Sequence, residues 1–401
     1  MAKLLNGVRV LDLTNVVAGP LCSYQLAMLG AEIFKIELPK IGDLSRKMGA
    51  DPELGRQAMG VGFLAMNAGK KSLALNLKTE SGREIFAKLT SNADVVLENF
   101  RPGTMKKLKL DWDHLHSINP RLIYCAISGF GQLGPLSQRP TYDQIIQGFS
   151  GLMSVTGTKE TAPNRAGYVV CDTTAAITAA FAICAALYRR TQTGSGERID
   201  VSMLDCALTS MAVWPVANYL NAGFDPQPVG NDNPTASPSG TFKTGDGLVN
   251  IVNNEQKQFV ALCCALEAPE LLNDARFSVP DKRVENRAAM NAIVEEKLKG
   301  KSAADWERIL SEAGVPAGRI YSLPEILEHP QVVQREILKW FGPNNGVDRE
   351  FAVTRAGFRL ESEQPDVQLP PPALGEHTRQ TLRELGYSDG DLEDLRVEGT
   401  I

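Results

Sequence analysis

The first 130 residues alternate short apolar runs with amphipathic stretches, and no other feature constrains the fold as strongly. Val8–Leu13 (VRVLDL), Glu32–Glu37 (EIFKIE), Ser72–Leu77 (SLALNL), Asp94–Leu97 (DVVL) and Leu122–Ile127 (LIYCAI) have strand composition. Leu21–Leu29, Ser81–Leu89 and Trp112–Ile118 have helix composition and lie between them. Such short, apolar runs suit strands covered on both faces, so the rhythm predicts a parallel sheet flanked by helices. Ligands of such sheets bind beyond the carboxyl ends of the strands. The loops that matter are therefore 14–20, 37–46, 99–103 and 128–142.

The pattern changes near Asn221. Residues 223–240 are rich in Pro, Gly and Asn and read as a linker. Gly240–Asn253 reads as a hairpin turning at Gly245-Asp246-Gly247, and helices follow at Gln256–Leu266, Arg283–Leu298 and Ala303–Ala313. This is a smaller α+β segment, and a second Pro-rich stretch at 364–372 precedes a charged tail. A length of 401 residues favours two domains over one core.

Composition narrows the function classes. The net charge of −5 provides no global field for nucleic acid or anionic membrane, so an anionic ligand needs a local basic cluster. Seven cysteines without a CxxC pair read as free thiols in a reducing, cytoplasmic setting. Four scattered histidines suggest no zinc site. The N-terminus runs straight into a strand pattern and does not read as a signal peptide. The charge-free helix Thr173–Tyr188 is shorter than the ~20 residues a membrane span needs, so no membrane partner is expected.

Several loops carry groups suited to a ligand. Asn15–Pro20 follows the first strand with one glycine, which excludes a dinucleotide fingerprint but not an anion held by backbone N–H groups; an ordinary turn fits equally. Glu98-Asn99-Phe100-Arg101-Pro102-Gly103 leads into Lys106, Lys107 and Lys109, the densest basic stretch, which suits phosphate or a merely solvated helix face. Ser128–Pro135 is a glycine-rich loop, and Tyr142 beyond it has a hydroxyl able to meet a carbonyl or to stay wet.

Asp172 is the sharpest candidate. It follows a strand-like run, Tyr168–Cys171, and opens an apolar helix, and it is the only charged residue between Arg165 and Arg189. One role for it is a helix N-cap. The other is a nucleophile whose ionised form the helix terminus favours and whose apolar flanks limit its hydration. The residues allow both.

Across nearly its whole length the chain resembles the class III CoA-transferases (CaiB/BaiF, formyl-CoA transferase-like). The blocks are GVRVLDLTNVVAGP at 6–20, LGAEIFKIELPKIGDLSR at 29–46, LALNLKTESGREIF at 73–86 and ADVVLENFRPGTMKKL at 93–108. NPRLIYCAISGFGQLGP at 119–135, TYDQIIQGFSGLMSVTG at 141–157, the Asp172 segment and TGSGERIDVSMLDCAL at 193–208 continue it. GVPAGRIYSLPEILEHPQV at 314–332 and ALGEHT at 373–378 complete it.

The resemblance implies an α/β fold with a large Rossmann-like domain and a small α+β domain in an interlocked homodimer. The large domain would comprise 1–222, the linker and small domain 223–325, and 326–401 would return to the large domain. It implies transfer of CoA from a donor acyl-CoA to a small carboxylic acid, with Asp172 as nucleophile through an aspartyl anhydride and an aspartyl-CoA thioester. No metal or other cofactor is implied; CoA thioesters are the substrates. Val16 and Ala18 would lie near the thioester, Leu75 and Lys78 by the nucleotide, and Asn99, Phe100, Arg101, Met105 and Lys106 along CoA. Tyr142 would stand near the aspartate. Succinyl-CoA is a candidate donor and a dicarboxylate a candidate acceptor, with Arg46, Arg101 and Arg165 as candidate partners for a distal carboxylate.

The chain departs from the formyl-CoA transferase pattern at three places. Val17 replaces a glutamine, Leu38 replaces a nucleotide-contacting arginine for which Lys40 or Arg46 would compensate, and Asn253–Gln256 stands where that enzyme has a multi-glycine loop. Two alternatives are a 2-methylacyl-CoA racemase and a CoA-binding protein without catalysis. The racemase histidine aligns with Tyr142, and a tyrosine of pKa ~10 is a poor acid/base group beside a histidine of ~6.5.

Overall fold

The computed structural model describes residues 3–401. It divides into two compact units: one formed by the chain up to Leu152 with Arg165–Phe224 and Arg335–Ile401, the other by Met153–Asn164 and Asp225–Gln334. The expected boundaries at 222 and 325 did not anticipate that residues 153–164 belong to the smaller unit.

The larger unit is built on a six-stranded sheet in the order β3-β2-β1-β4-β5-β6. Its strands are β1 (Arg9–Asp12), β2 (Glu32–Glu37), β3 (Lys70–Ala74), β4 (Val95–Glu98), β5 (Ile123–Ser128) and β6 (Glu197–Ser202). Every pairing is parallel. The order reverses between β1 and β4, so the loops after those two strands diverge and leave a crevice at their carboxyl ends.

Both faces of the sheet are covered, which is why β4 and β5 are buried throughout. On one face Val10, Val95, Leu97, Ile123 and Cys125 pack against Cys22 and Leu26 of helix Ala18–Met28 and Ala175, Ala179 and Ile183 of helix Val170–Thr193. On the other, Leu11, Phe34, Val96 and Tyr124 meet Ile85 and Phe86 of helix Glu80–Thr90 and Leu382, Leu392 and Leu395 of the C-terminal segment. The C-terminal segment also reaches the loop after β3, where Asn76 N donates to Thr400 O at 2.8 Å.

Three local expectations change. Helix Ala18–Met28 starts at Ala18 rather than Leu21. Tyr168–Cys171 is not a strand: the following helix already begins at Val170. That helix runs 24 residues, to Thr193, and an 18-residue window of it has a mean hydropathy of 1.8, so by length and composition it could cross a membrane, and the length argument against a span fails. Here its small-residue face lies on the core, and Arg190 near its end is paired with Asp94 at 2.7 Å.

The smaller unit holds the predicted hairpin, as β7 (Gly240–Lys243) and β8 (Leu248–Ile251), with β9 (Ala317–Arg319) added antiparallel to β8. Phe242, Phe259, Met290 and Trp306 form its separate core.

Candidate active site

A buried charge network sets the loop after β1. Asp12 ends that strand and accepts from Thr14 N at 2.9 Å, Ser23 Oγ at 2.5 Å and Lys70 Nζ at 3.1 Å. Lys35 pairs with Asp43 at 2.7 Å and donates to Thr14 O at 2.9 Å. Burial alone would raise the Asp12 pKa, but the Lys70 and Lys35 ammoniums outweigh it and hold the carboxyl well below the usual carboxylate range. Lys70, for its part, is pushed down to about 8 by burial.

The loop beyond is pinned from two sides. Asn99 brackets Asn15, accepting its N–H at 2.9 Å and donating to its carbonyl at 2.8 Å. Val16 N donates to Asp43 Oδ1 at 3.1 Å with Val16 at φ +72°. A β-branched residue in the left-handed region is costly, and it persists because these contacts over-determine the turn. The glutamine-for-Val17 position is the residue preceding the helix, with no side-chain cap.

Two cavities open at this edge of the sheet. The first, about 450 Å³, is lined by the loops after β1, β4 and β5 and contains Asp172. The second, about 340 Å³, lies beside it under Leu38, Ile41, Leu75, Leu77 and Leu108, with Lys78 at its wall. Phe100 lines both. Its backbone N–H is held by buried Glu98 at 2.8 Å, and Glu98 also accepts from Tyr124 OH at 3.1 Å.

Asp172 is the third residue of its helix, not the N-cap. The capping role belongs to Asp143. Asp143 Oδ1 accepts from Cys171 N at 2.8 Å and Asp172 N at 3.2 Å, and Gln147 Nε2 holds Asp143 Oδ2 at 2.5 Å. Among the described residues no hydrogen bond engages the Asp172 carboxylate. The expectation that the helix terminus keeps it ionised is corrected as well. Burial, reinforced by the Asp143 charge, pushes Asp172 up to about 7. A half-dry carboxylate with free oxygens on a cavity wall is chemically available in a way a capping carboxylate is not.

The structure brings Val16, Ala18, Asn99, Phe100, Arg101 and Tyr142 together around Asp172 in the first cavity, and Leu75 and Lys78 into the second. Tyr142 is 67 % exposed and immediately precedes the Asp143 helix. Met105 lines neither cavity; it is 4 % exposed and packs in the core beside Leu110 and Leu115. Lys106 is exposed and lines neither.

Arg46 cannot serve a ligand. It is fully buried, forked onto Glu37 with both contacts at 2.7 Å, and donates to the carbonyls of Ala58 and Pro372. Arg165 is exposed and lies outside both cavities. Residues not singled out from sequence are Asp143, Ser128 and Arg139. Asp143 adjoins Tyr142, a visible signal, but its contact to Asp172 spans 29 residues and has no local signature.

The chain matches the model of CoA-transferase family III over residues 5–378. The chain belongs to CoA-transferase family III. It is 35% identical to the succinyl-CoA:glutarate CoA-transferase of Mus musculus, across 100% of this chain and 90% of that protein. It is 39% identical to the acetyl-CoA:oxalate CoA-transferase of Acetobacter aceti, across 83% of this chain and 85% of that one. A crystal structure of a CaiB/BaiF family protein from Brucella suis superposes with a TM-score of 0.84 at 35% identity, covering 96% of this chain and 100% of that chain. The enzyme is therefore a family III CoA-transferase.

Proposed function

We propose that the enzyme moves CoA from succinyl-CoA or a similar donor to a small dicarboxylic acid, with Asp172 as nucleophile. The observation that carries the mechanism is the Asp172 carboxylate: ionisable near neutrality, unbonded, and the one anionic side chain on the wall of its cavity. The similar enzymes named above both take dicarboxylates, which supports the acceptor class.

In this reading an Asp172 oxygen attacks the thioester carbon and the sulfur leaves as thiolate, forming a mixed anhydride. The thiolate then attacks the Asp172 carbonyl, releasing the donor acid and leaving an aspartyl-CoA thioester. The acceptor carboxylate attacks that thioester, and the returning thiolate takes the acceptor acyl group and frees Asp172. Every bond is made by a carboxylate or thiolate, so the cycle calls for no metal or further cofactor. The second cavity, apolar with Lys78 at its wall, suits the nucleotide end of CoA, and Phe100 marks the passage to the thioester.

Exposed apolar side chains support a homodimer. Ile177 (55 % exposed), Phe181 (74 %), Val213 (75 %), Trp214 (58 %) and Leu220 (71 %) crowd one region of the chain in the larger unit, more than a solitary subunit ordinarily shows. All seven cysteines stand as free thiols, in keeping with a cytoplasmic enzyme.

Asp172→Ala tests the mechanism. It should fold and dimerise by sedimentation analysis, lose transfer by roughly 10⁴-fold or more, and yield no hydroxamate when hydroxylamine is added after acyl-CoA. Near-normal turnover in that variant would rule the mechanism out.

A further inference from the structure

Three charged side chains line the cavity that holds Asp172: Asp172 itself, Arg101 and Arg139. The two arginines come from different loops, Arg101 after β4 and Arg139 after β5. Arg101 follows Phe100, which with Asn15 lines both cavities, and so lies on the side of the second cavity. Arg139 belongs to the segment that continues through Tyr142 into Asp143, whose carboxylate holds the Asp172 backbone. Arg139 is thus tied through its own segment to the element that holds the reacting group.

Arg139 is exposed, its guanidinium lies over one aromatic ring, and its donors are unused among the described residues. Its guanidinium carbon lies 5.6 Å from the centre of the Phe149 ring, and Phe149 is held edge-on to Phe130 at 5.1 Å. Stacking on a ring orients the plane of a guanidinium and leaves its N–H edge free. No carboxylate of the described residues forms an ion pair with it. In the lining of the same cavity the Ser128 hydroxyl is buried without a protein partner among the described residues. A donor left unmet in that way suits an oxygen-rich guest.

We propose that Arg139 binds the distal carboxylate of a dicarboxylic acceptor and thereby sets the preference for dicarboxylates over monocarboxylates. This rests on the reading of the acceptor as a dicarboxylate. One carboxylate of the acceptor must approach Asp172 to react. The other needs a cation of its own, because a second negative charge brought into a half-dry cavity is otherwise unfavourable. A planar two-point contact from Arg139 provides it.

The test compares glutarate with butyrate, using succinyl-CoA as donor. Both acceptors meet the same aspartyl-CoA enzyme, so the ratio of their kcat/KM values reports acceptor recognition alone. Arg139→Gln should lower the glutarate-to-butyrate ratio roughly 10- to 100-fold, mainly through a higher KM for glutarate. Arg139→Lys, which keeps the charge but not the fork, should fall between. Arg101→Gln should instead raise the KM for succinyl-CoA while the acceptor ratio stays near that of the wild type. An unchanged ratio in Arg139→Gln, with both acceptors impaired alike or neither impaired, overturns the assignment; so does a shifted ratio in Arg101→Gln alone. A wild-type enzyme that does not prefer glutarate would overturn the dicarboxylate reading as well, which separates the two failures.

Discussion

The Asp143 carboxylate grips the backbone N–H of Asp172 at 3.2 Å, so one aspartate occupies the helix terminus and leaves the other free. The arrangement divides two jobs that a single carboxylate does poorly at once. It also places a negative charge near the reacting group, which contributes to the elevated Asp172 pKa.

Asp143→Asn keeps an acceptor for the two N–H groups and removes the charge, at the cost of the Gln147 contact. The Asp172 pKa should fall, so the acidic limb of the kcat/KM profile for acyl-CoA should move to lower pH. A profile unmoved, with activity reduced at every pH, would show that Asp143 acts only as a cap. Asp143→Ala should in addition cost about 1–2 kcal/mol of stability by chemical denaturation.

The wild-type profile itself follows from the Asp172 pKa of about 7. Only the ionised form attacks, so kcat/KM for acyl-CoA should climb about tenfold per pH unit below neutrality and level off above it. A plateau reaching down to pH 5 would contradict the elevated pKa.

Stability carries the opposite sign. The folded-state pKa of Asp172 lies above that of an unfolded aspartate, so folding favours the protonated form. The associated stability is present at low pH and is lost as pH rises from about 4, the unfolded value, through about 7. Asp172→Asn lacks this loss. The difference in Tm between that variant and the wild type should therefore grow in the variant's favour across the same window, and a constant difference would contradict it.

Arg46→Met takes the guanidinium from buried Glu37, leaving its charge only the hydrogen bonds from Asp43 N and Ser72 Oγ and the more distant Lys35. The expected loss is roughly 3–5 kcal/mol by urea denaturation, because the remaining ion keeps its desolvation cost. Near-neutral stability would show that Glu37 takes up a proton or finds water.

Gly129→Ala tests the tightness of the cavity wall. A Cβ there would come within 1.9 Å of Thr141 Cγ2, one residue from Tyr142. Overpacking of this kind costs typically 1–3 kcal/mol, and here the displaced segment is the one leading to Asp143. Transfer activity should fall as well as Tm. A loss of Tm alone would show that the segment moves without disturbing Asp172.

The parallel sheet was legible because each buried strand is a short apolar run, and β1, β2, β4 and β5 fall within or close to the residues expected. Asp172 was legible because it is the one charge in a long apolar stretch. Its partner was not: Asp143 meets it through tertiary packing, and nothing in YDQ distinguishes a capping aspartate from a surface one. Arg46 misled for the same reason. Its spacing from Leu38 suggested a compensating cation, whereas β2 delivers Glu37 to its guanidinium. Met105 shares a block with true cavity residues, yet in the helical turn Thr104–Lys107 its side chain falls on the core side.

The wall that carries Lys78 is closed by residues more than three hundred positions away: Asn76 is bonded to Gly399 and Thr400, and Thr79 Oγ1 meets Thr400 Oγ1 at 2.8 Å. On the ribosome the sheet strands emerge early, but this clasp cannot form until Gly399 and Thr400 have emerged. A nascent chain therefore holds most of the sheet-edge crevice before its brace, and replacing Thr400 should loosen the wall that carries Lys78 while Leu392 and Leu395 keep their place in the core.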